Sequence, residues 1–140
     1  MADTISISAK CLCGAVTLSA ADASTHLEAC HCGMCRKWGG GPLMGMSCSE
    51  LDIDGEAHVG VYDSSAWAQR CFCTNCGTHL YYRIKGKPEY FVPAGFYEAA
   101  GELEFTEEIF IDEKPAYYAF ANETRKMTGA EVFARYAPKD

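Results

Sequence analysis

The sequence predicts a mainly β domain of short antiparallel strands with small helical additions. Two observations support this fold class: short segments that alternate or are rich in aromatic residues, and turn residues that recur between them. The chain has 140 residues, 49% hydrophobic and 22% charged, which is the balance of one globular domain. No linker or low-complexity stretch interrupts it, so we expect a single domain over residues 1–140.

Five segments are predicted to be strands. Thr4–Ala9 and Ala15–Ala20 alternate between polar and apolar residues, and His79–Ile84 is rich in aromatic residues. Tyr90–Val92 and Ile109–Ile111 are shorter apolar runs that Gly, Pro or Asp bound. We therefore expect a chain that is mostly β.

One helix is predicted near the C-terminus. Thr128 and Glu131 form a capping-box pattern, in which each side chain accepts a hydrogen bond from a free backbone N–H group of the first turn. Val132, Phe133 and Tyr136 follow as an apolar stripe, which predicts a helix lying over the core.

Composition excludes several classes of function. With a formal charge of −7, the chain lacks the basic surface that a nucleic-acid-binding protein needs. No apolar run is long enough to span a membrane. The first ten residues lack the features of a secretory signal, so we expect a reducing, cytoplasmic location. In that compartment nine cysteines in tight groups indicate metal or thiol chemistry rather than disulfides.

The first group of cysteines predicts a structural zinc site. Cys73 and Cys76 have CxxC spacing, Cys11 and Cys13 have CxC spacing, and each pair is followed by a glycine that permits a sharp turn. Four thiolates fill a tetrahedral site and leave no open position. Free buried thiols, or a redox pair at Cys73 and Cys76, are the alternatives.

The second group predicts a metal site with one open position. Cys30, Cys32 and Cys35 supply three thiolates within six residues, and a three-ligand zinc site is typical of catalysis. A small-molecule thiol would suit the fourth position. His31 and Cys48 are the alternative fourth ligands within the chain.

Two cations and an indole follow this group directly. Arg36, Lys37 and Trp38 would suit an acidic, peptide-like ligand through charge-assisted hydrogen bonds and stacking. A solvated basic face with one packed tryptophan is the alternative interpretation.

Four segments, in this order, resemble the glutathione-dependent formaldehyde-activating enzyme family, which also includes centromere protein V. They are CLCGAV at Cys11–Val16, CHCGMCRKWGGGP at Cys30–Pro42, YDSSAWAQRCFCTNCGTHLYYR at Tyr62–Arg83 and IFIDEKPAYY within Ile109–Tyr118. The resemblance covers about residues 4–120. It implies a β-tent fold, and the chain differs locally in carrying Glu108 where many members carry histidine.

The resemblance also implies sites and an activity. It implies a structural zinc at Cys11, Cys13, Cys73 and Cys76, and a second zinc, at the three-cysteine group, that accepts the sulfur of glutathione. The implied reaction is carbon–sulfur lyase chemistry between glutathione and formaldehyde. We expect the second zinc to be the more labile, because three ligands hold an ion less firmly than four. A non-catalytic zinc-binding module for protein interaction is the alternative function.

Overall fold

Short strands dominate the regular structure. The computed structural model describes residues 3–98 and 101–136, and within these it contains eleven strands and two short α-helices. The mainly β prediction is confirmed. The chain divides into two units: unit 1 comprises Met1–Thr25 and Gly45–Leu103, and unit 2 comprises His26–Met44 and Glu104–Asp140. The single domain over residues 1–140 stays a prediction.

Unit 1 is built from antiparallel pairs. One sheet has the order β1-β2-β5, and a second run of strands has the order β4-β9-β8-β7-β6. The strands are β1 (Thr4–Lys10), β2 (Thr17–Ser24), β4 (Leu43–Cys48), β5 (Asp52–Asp54), β6 (Val59–Asp63), β7 (Ala68–Cys73), β8 (His79–Ile84) and β9 (Tyr90–Pro93). The first two residues of β4 belong to unit 2.

Alternation along the strands places apolar side chains in the interior. Leu18 and Ala20, two positions apart on β2, are both buried, whereas Ser19 between them is partly exposed and Ala21 is exposed. Leu80 and Val92 are fully buried on β8 and β9. The predicted strands at Thr4–Ala9 and His79–Ile84 are therefore found almost as expected.

Unit 2 contains parallel pairs that the sequence did not predict. β3 (His26–Cys30) and β11 (Arg125–Met127) both pair in parallel with β10 (Glu104–Ile109). Parallel strands need a long connection between them. The chain from β3 to β10 supplies one, because residues 45–103 form part of unit 1 on the way.

The predicted strand at Ile109–Ile111 is wrong beyond its first residue. β10 ends at Ile109 because Phe110 adopts a left-handed backbone conformation, with φ 54°, and a 3₁₀ turn over Ile111–Glu113 follows. The sequence analysis also missed the helix α1 (Gly33–Gly39), which Gly40 ends with φ 84°.

The predicted C-terminal helix is present. α2 (Gly129–Tyr136) follows Thr128, whose hydroxyl accepts a hydrogen bond from the Glu131 backbone N–H at 3.2 Å, while the Glu131 carboxylate accepts one from the Thr128 N–H at 3.0 Å. Val132 packs with Ile109 and Met127 in a buried cluster. Phe133, in contrast to the predicted stripe, is 55% exposed.

No helix in the described ranges has both the length and the apolar character that crossing a membrane requires.

Candidate functional site

The first cysteine cluster (Cys11, Cys13, Cys73 and Cys76) lies in unit 1. The four sulfurs are all within 4.8 Å of one another. The sulfur of Cys13 lies 3.6 Å from that of Cys11 and 3.8 Å from that of Cys73. A disulfide needs a separation of about 2.05 Å, so these are four thiols that converge on one point without bonding to each other.

Two glycine turns aim these sulfurs at the same point. Gly14 and Gly77 both have φ of 79°, and their N–H groups donate to the carbonyls of Cys11 at 3.0 Å and Cys73 at 2.8 Å. The first pair, Cys11 and Cys13, therefore sits on a turn that Gly14 closes. A turn is possible there because glycine carries no Cβ that would clash at positive φ.

The distances in the first cysteine cluster fit a tetrahedral ion. Zn–S bonds of about 2.3 Å place tetrahedral sulfurs about 3.8 Å apart, which matches the observed separations. Hydrogen bonds with the Thr78 side chain and backbone lower the pKa of Cys76 to about 5. The environment therefore favours a thiolate at Cys76, the form that binds a metal.

The second cysteine cluster (Cys30, Cys32 and Cys35) lies in unit 2. Cys30 ends β3, Cys32 caps α1, and Cys35 lies in its first turn. The Cys35 backbone N–H donates a hydrogen bond to the Cys32 sulfur at 3.3 Å. The three sulfurs lie within 4.8 Å of one another.

The repulsion between the three sulfurs of the second cysteine cluster favours binding of a cation. The neighbouring sulfurs of Cys32 and Cys35, together with burial, raise the pKa of Cys30 strongly. Three close thiolates repel one another, and a divalent ion among them would remove that penalty. The donor set therefore fits zinc, and it supplies three of the four ligands that zinc takes in a tetrahedral site.

The structure places the predicted ligand-binding residues on α1. The Arg36 Nε donates a hydrogen bond to the His31 carbonyl at 3.0 Å, so part of its guanidinium stabilises the start of the helix. Lys37 is exposed, and Trp38 is partly buried. All three follow the second cysteine cluster in the same helix, but their contact with a ligand stays a prediction.

His31 is engaged at both ring nitrogens by other side chains. The ring is fully buried, with Nδ1 2.6 Å from the Tyr118 hydroxyl and Nε2 2.8 Å from Glu108 Oε1. Neither nitrogen is directed at the sulfurs on either side of it in the chain. Cys48, the other alternative fourth ligand, is buried on β4, where burial and the charge of Asp22 raise the pKa of its thiol to about 11.

Sequence reasoning missed the acid–imidazole–phenol chain formed by Glu108, His31 and Tyr118. The Thr124 hydroxyl extends it by donating to Glu108 Oε2 at 2.5 Å, and Lys126 Nζ lies 3.8 Å from the same oxygen. The local sequence carries no signal for this network, because β10 (EFTEEI) contains three glutamates, and only the structure shows that the Glu108 carboxylate, at 2% exposure, needs partners. Its partners lie 77 and 16 positions away, so no local pattern could name them.

The end of β10 and the segment that follows it hold the second cysteine cluster through further contacts. The His31 backbone N–H donates to the Ile109 carbonyl at 3.1 Å, and the Gly33 N–H donates to Glu113 Oε1 at 3.1 Å. Both donors lie between or beside the clustered cysteines. The positions of these cysteines are therefore fixed from two sides, by their own helix and by this segment.

With this geometry established, comparison with known proteins assigns the family. Residues 6–113 match the model of the family described as "Glutathione-dependent formaldehyde-activating enzyme". The chain belongs to this family. It is also 40% identical, over 125 residues, to an uncharacterized lyase of Schizosaccharomyces pombe, covering 88% of this chain and 91% of that protein.

A solved structure supports the fold. A crystal structure of a Rhodobacter sphaeroides protein, a structural genomics target, superposes with a TM-score of 0.55 at 24% sequence identity. The match covers 73% of this chain and 99% of that chain. At this identity the likeness concerns the fold alone.

Proposed function

We propose that this protein is a zinc-dependent carbon–sulfur lyase that binds glutathione, or a similar thiol, at the second cysteine cluster. The observation that carries the proposal is the donor set: Cys30, Cys32 and Cys35 converge within 4.8 Å and provide one ligand fewer than tetrahedral zinc takes. Family membership and the lyase relative favour an enzyme of lyase type. The substrate is formaldehyde or a related small carbonyl compound in adduct with the thiol.

The two cysteine clusters have different roles in this proposal. The first holds a structural ion through four thiolates, and the second holds an ion whose remaining position takes the thiol sulfur. A zinc ion bound at the second cluster supplies a Lewis acid that stabilises a thiolate. A reducing compartment such as the cytosol would keep all nine cysteines as the thiols found here.

The residues of α1 would bind the remainder of the thiol compound. Arg36 and Lys37 lie one and two positions after Cys35, and a tripeptide thiol such as glutathione carries two carboxylates. Arg36 keeps its position through its bond to the His31 carbonyl, which leaves its terminal nitrogens to hydrogen-bond a carboxylate. Trp38 offers a ring face to the peptide part of the ligand.

A titration with glutathione tests the proposal. Calorimetry on the zinc-loaded protein is expected to show binding of glutathione and none of S-methylglutathione, whose blocked sulfur is a poor ligand. Two bound zinc ions without binding of either compound would contradict the proposal. That result would favour a non-catalytic zinc-binding module.

Cys32→Ser identifies the site of binding. Serine is a good helix N-cap, so it retains the hydrogen bond from the Cys35 N–H and the helix itself. We expect the variant to lose one zinc and all glutathione binding while its thermal stability stays near that of the wild type. Cys48→Ala, which changes a buried cysteine outside both clusters, is the matched control and should retain both.

A further inference from the structure

Cys32 and Cys35 form a CxxC pair within the second cysteine cluster. Cys32 lies directly before α1 and Cys35 lies in its first turn, so the two residues between them, Gly33 and Met34, have a helical backbone. Cα atoms three positions apart in a helix are separated by about 5 Å. Disulfides join residues whose Cα atoms are about 4.4–6.8 Å apart, so the backbone already suits a bond between these two cysteines.

The side chains of this pair also lie close together. Their sulfurs are within 4.8 Å of each other, and the Cys35 backbone N–H donates a hydrogen bond to the Cys32 sulfur at 3.3 Å. Rotation of the two side chains can shorten this separation to the roughly 2.05 Å of a disulfide. Cys30 is less well placed to bond Cys32, because it ends β3, and Cα atoms two positions apart in an extended chain are about 6.6 Å apart.

The two thiols differ in accessibility. Cys32 is partly exposed, whereas Cys35 is only 4% exposed. A dissolved oxidant therefore reaches the Cys32 sulfur first, and the Cys35 sulfur lies beside it, ready to react with the product. An accessible cysteine with a second cysteine next to it is the arrangement typical of oxidation sensors.

A bond between these sulfurs would remove two of the three ligands that the second cysteine cluster offers a metal ion. A disulfide sulfur is not a thiolate, so Cys30 would be the one strong ligand left in the cluster. The first cysteine cluster is better protected, because it offers four thiolates. Its Cys13 is exposed, but Cys11 and Cys73 are 4% and 0% exposed. Oxidation should therefore release the second ion selectively.

We propose that Cys32 and Cys35 are a reversible oxidation site, at which hydrogen peroxide forms a disulfide and releases the metal ion of the second cysteine cluster. The inference rests on the metal site of the proposed function and adds its regulation, whichever thiol compound binds there. The Cys32 sulfur attacks a peroxide oxygen, the O–O bond breaks, and Cys32 becomes a sulfenic acid as water leaves. The Cys35 sulfur then attacks the Cys32 sulfur, so that the S–S bond forms, the S–O bond breaks and a second water leaves. The dithiol is oxidised by two electrons, peroxide is reduced, and both thiol protons end in the water molecules.

A small thiol compound can reverse this oxidation. One molecule attacks a sulfur of the disulfide and forms a mixed disulfide, and a second molecule displaces the first. The cysteines regain their thiols, and the compound leaves as its own disulfide. The second cysteine cluster would therefore hold its ion under reducing conditions and lose it under oxidising ones.

Peroxide treatment of the zinc-loaded protein tests the proposal. A chromogenic zinc chelator follows metal release, and mass spectrometry of the intact chain and of its peptides locates the new bond. We expect release of one of the two zinc ions, a mass lower by two hydrogen atoms, and a bond between Cys32 and Cys35. Dithiothreitol followed by zinc should restore the starting state. Cys48→Ala, which changes a buried cysteine outside both clusters, should behave as the wild type does.

Cys30→Ser and Cys35→Ser are a matched pair of variants. Each removes one ligand from the second cysteine cluster, but only Cys35→Ser removes a partner of the proposed bond. We expect Cys30→Ser to form the disulfide on peroxide treatment. Cys35→Ser should stop at the sulfenic acid on Cys32, which dimedone labels. Both readouts are independent of how firmly the variants hold the second ion.

The outcomes separate this proposal from the proposed function. A disulfide that involves Cys30, release of both zinc ions at the same rate, or the absence of any disulfide after peroxide treatment would overturn the oxidation site. If that protein still binds two zinc ions and glutathione, the proposed function stands. A wild type that binds a single zinc ion overturns both. If Cys35→Ser fails to fold, the position of the bond in the wild type decides the question.

Discussion

Replacing Cys76 with serine tests whether the first cysteine cluster stabilises unit 1. Cys13 and Cys73 are 60 positions apart in the chain, and their sulfurs are 3.8 Å apart. A cross-link that closes a loop of this length removes about 4 kcal/mol of conformational freedom from the unfolded chain. This is a large part of the roughly 5–15 kcal/mol by which a domain is stable. Serine replaces a thiolate ligand with a hydroxyl, so we expect the variant to lose most of this contribution.

Calorimetric melting with and without a chelator measures the loss. We expect Cys76→Ser to melt roughly 15 °C or more below the wild type and to respond little to EDTA. EDTA should lower the wild-type melting temperature toward that of the variant, because the binding energy of a structural metal is folding energy. Cys48→Ala, a buried cysteine outside the cluster, should cost only about 1 kcal/mol and keep its metal.

A Cys76→Ser variant that melts cooperatively at the wild-type temperature would show that no structural metal ion stabilises unit 1 at the first cysteine cluster. A wild-type protein whose melting temperature does not change when a strong chelator is added would show the same. In either case the four sulfurs would be neighbouring thiols whose proximity contributes little to stability.

Two further predictions concern Cys48 and Gly129. Burial and the charge of Asp22 raise the pKa of Cys48 from 9.0 to about 11, so its contribution is fully present below pH 9 and is lost as the pH rises through 11. Urea unfolding between pH 8 and pH 11.5 should show a loss of about 2 kcal/mol that Cys48→Ala lacks, and an identical decline in the two proteins would contradict this. A Cβ at Gly129 would lie 2.8 Å from a ring carbon of Phe110, so Gly129→Ala should cost about 1–3 kcal/mol in thermal unfolding. Gly39→Ala, where a Cβ meets nothing within 4 Å, is its control, and equal melting temperatures for the two variants would show that the contact is unimportant.

The sequence predicted those parts of the molecule that depend on neighbours in the chain. The capping box from Thr128 to Glu131 spans four residues, and its two hydrogen bonds are present as expected. The strand predicted at Thr4–Ala9 follows from alternation within six residues. In these cases the physical cause acts over one helical turn or one pleat of a strand, so a few consecutive residues suffice to predict the element.

Prediction was incomplete where one residue changes the backbone direction. The apolar run that begins at Ile109 reads as a strand, but Phe110 leaves the β region and ends it. Nothing in the composition of the run reveals this, because phenylalanine rarely adopts positive φ. Its ring packs edge-on against Phe133, with centroids 5.6 Å apart, and lies where a side chain at position 129 would be. The conformation thus depends on a helix that begins nineteen residues later.

The sequence by itself determined which residues could bind metal. CxC and CxxC spacings followed by a glycine turn bring two sulfurs close together through neighbours in the chain alone. It also determined the family, because those spacings occur in a fixed order. Only the tertiary structure decided what surrounds the second cysteine cluster. Glu108 and Tyr118 reach His31 from 77 and 87 positions away, through strand pairing and a long returning segment. Contacts over such distances depend on how the whole chain folds, and no local pattern specifies them.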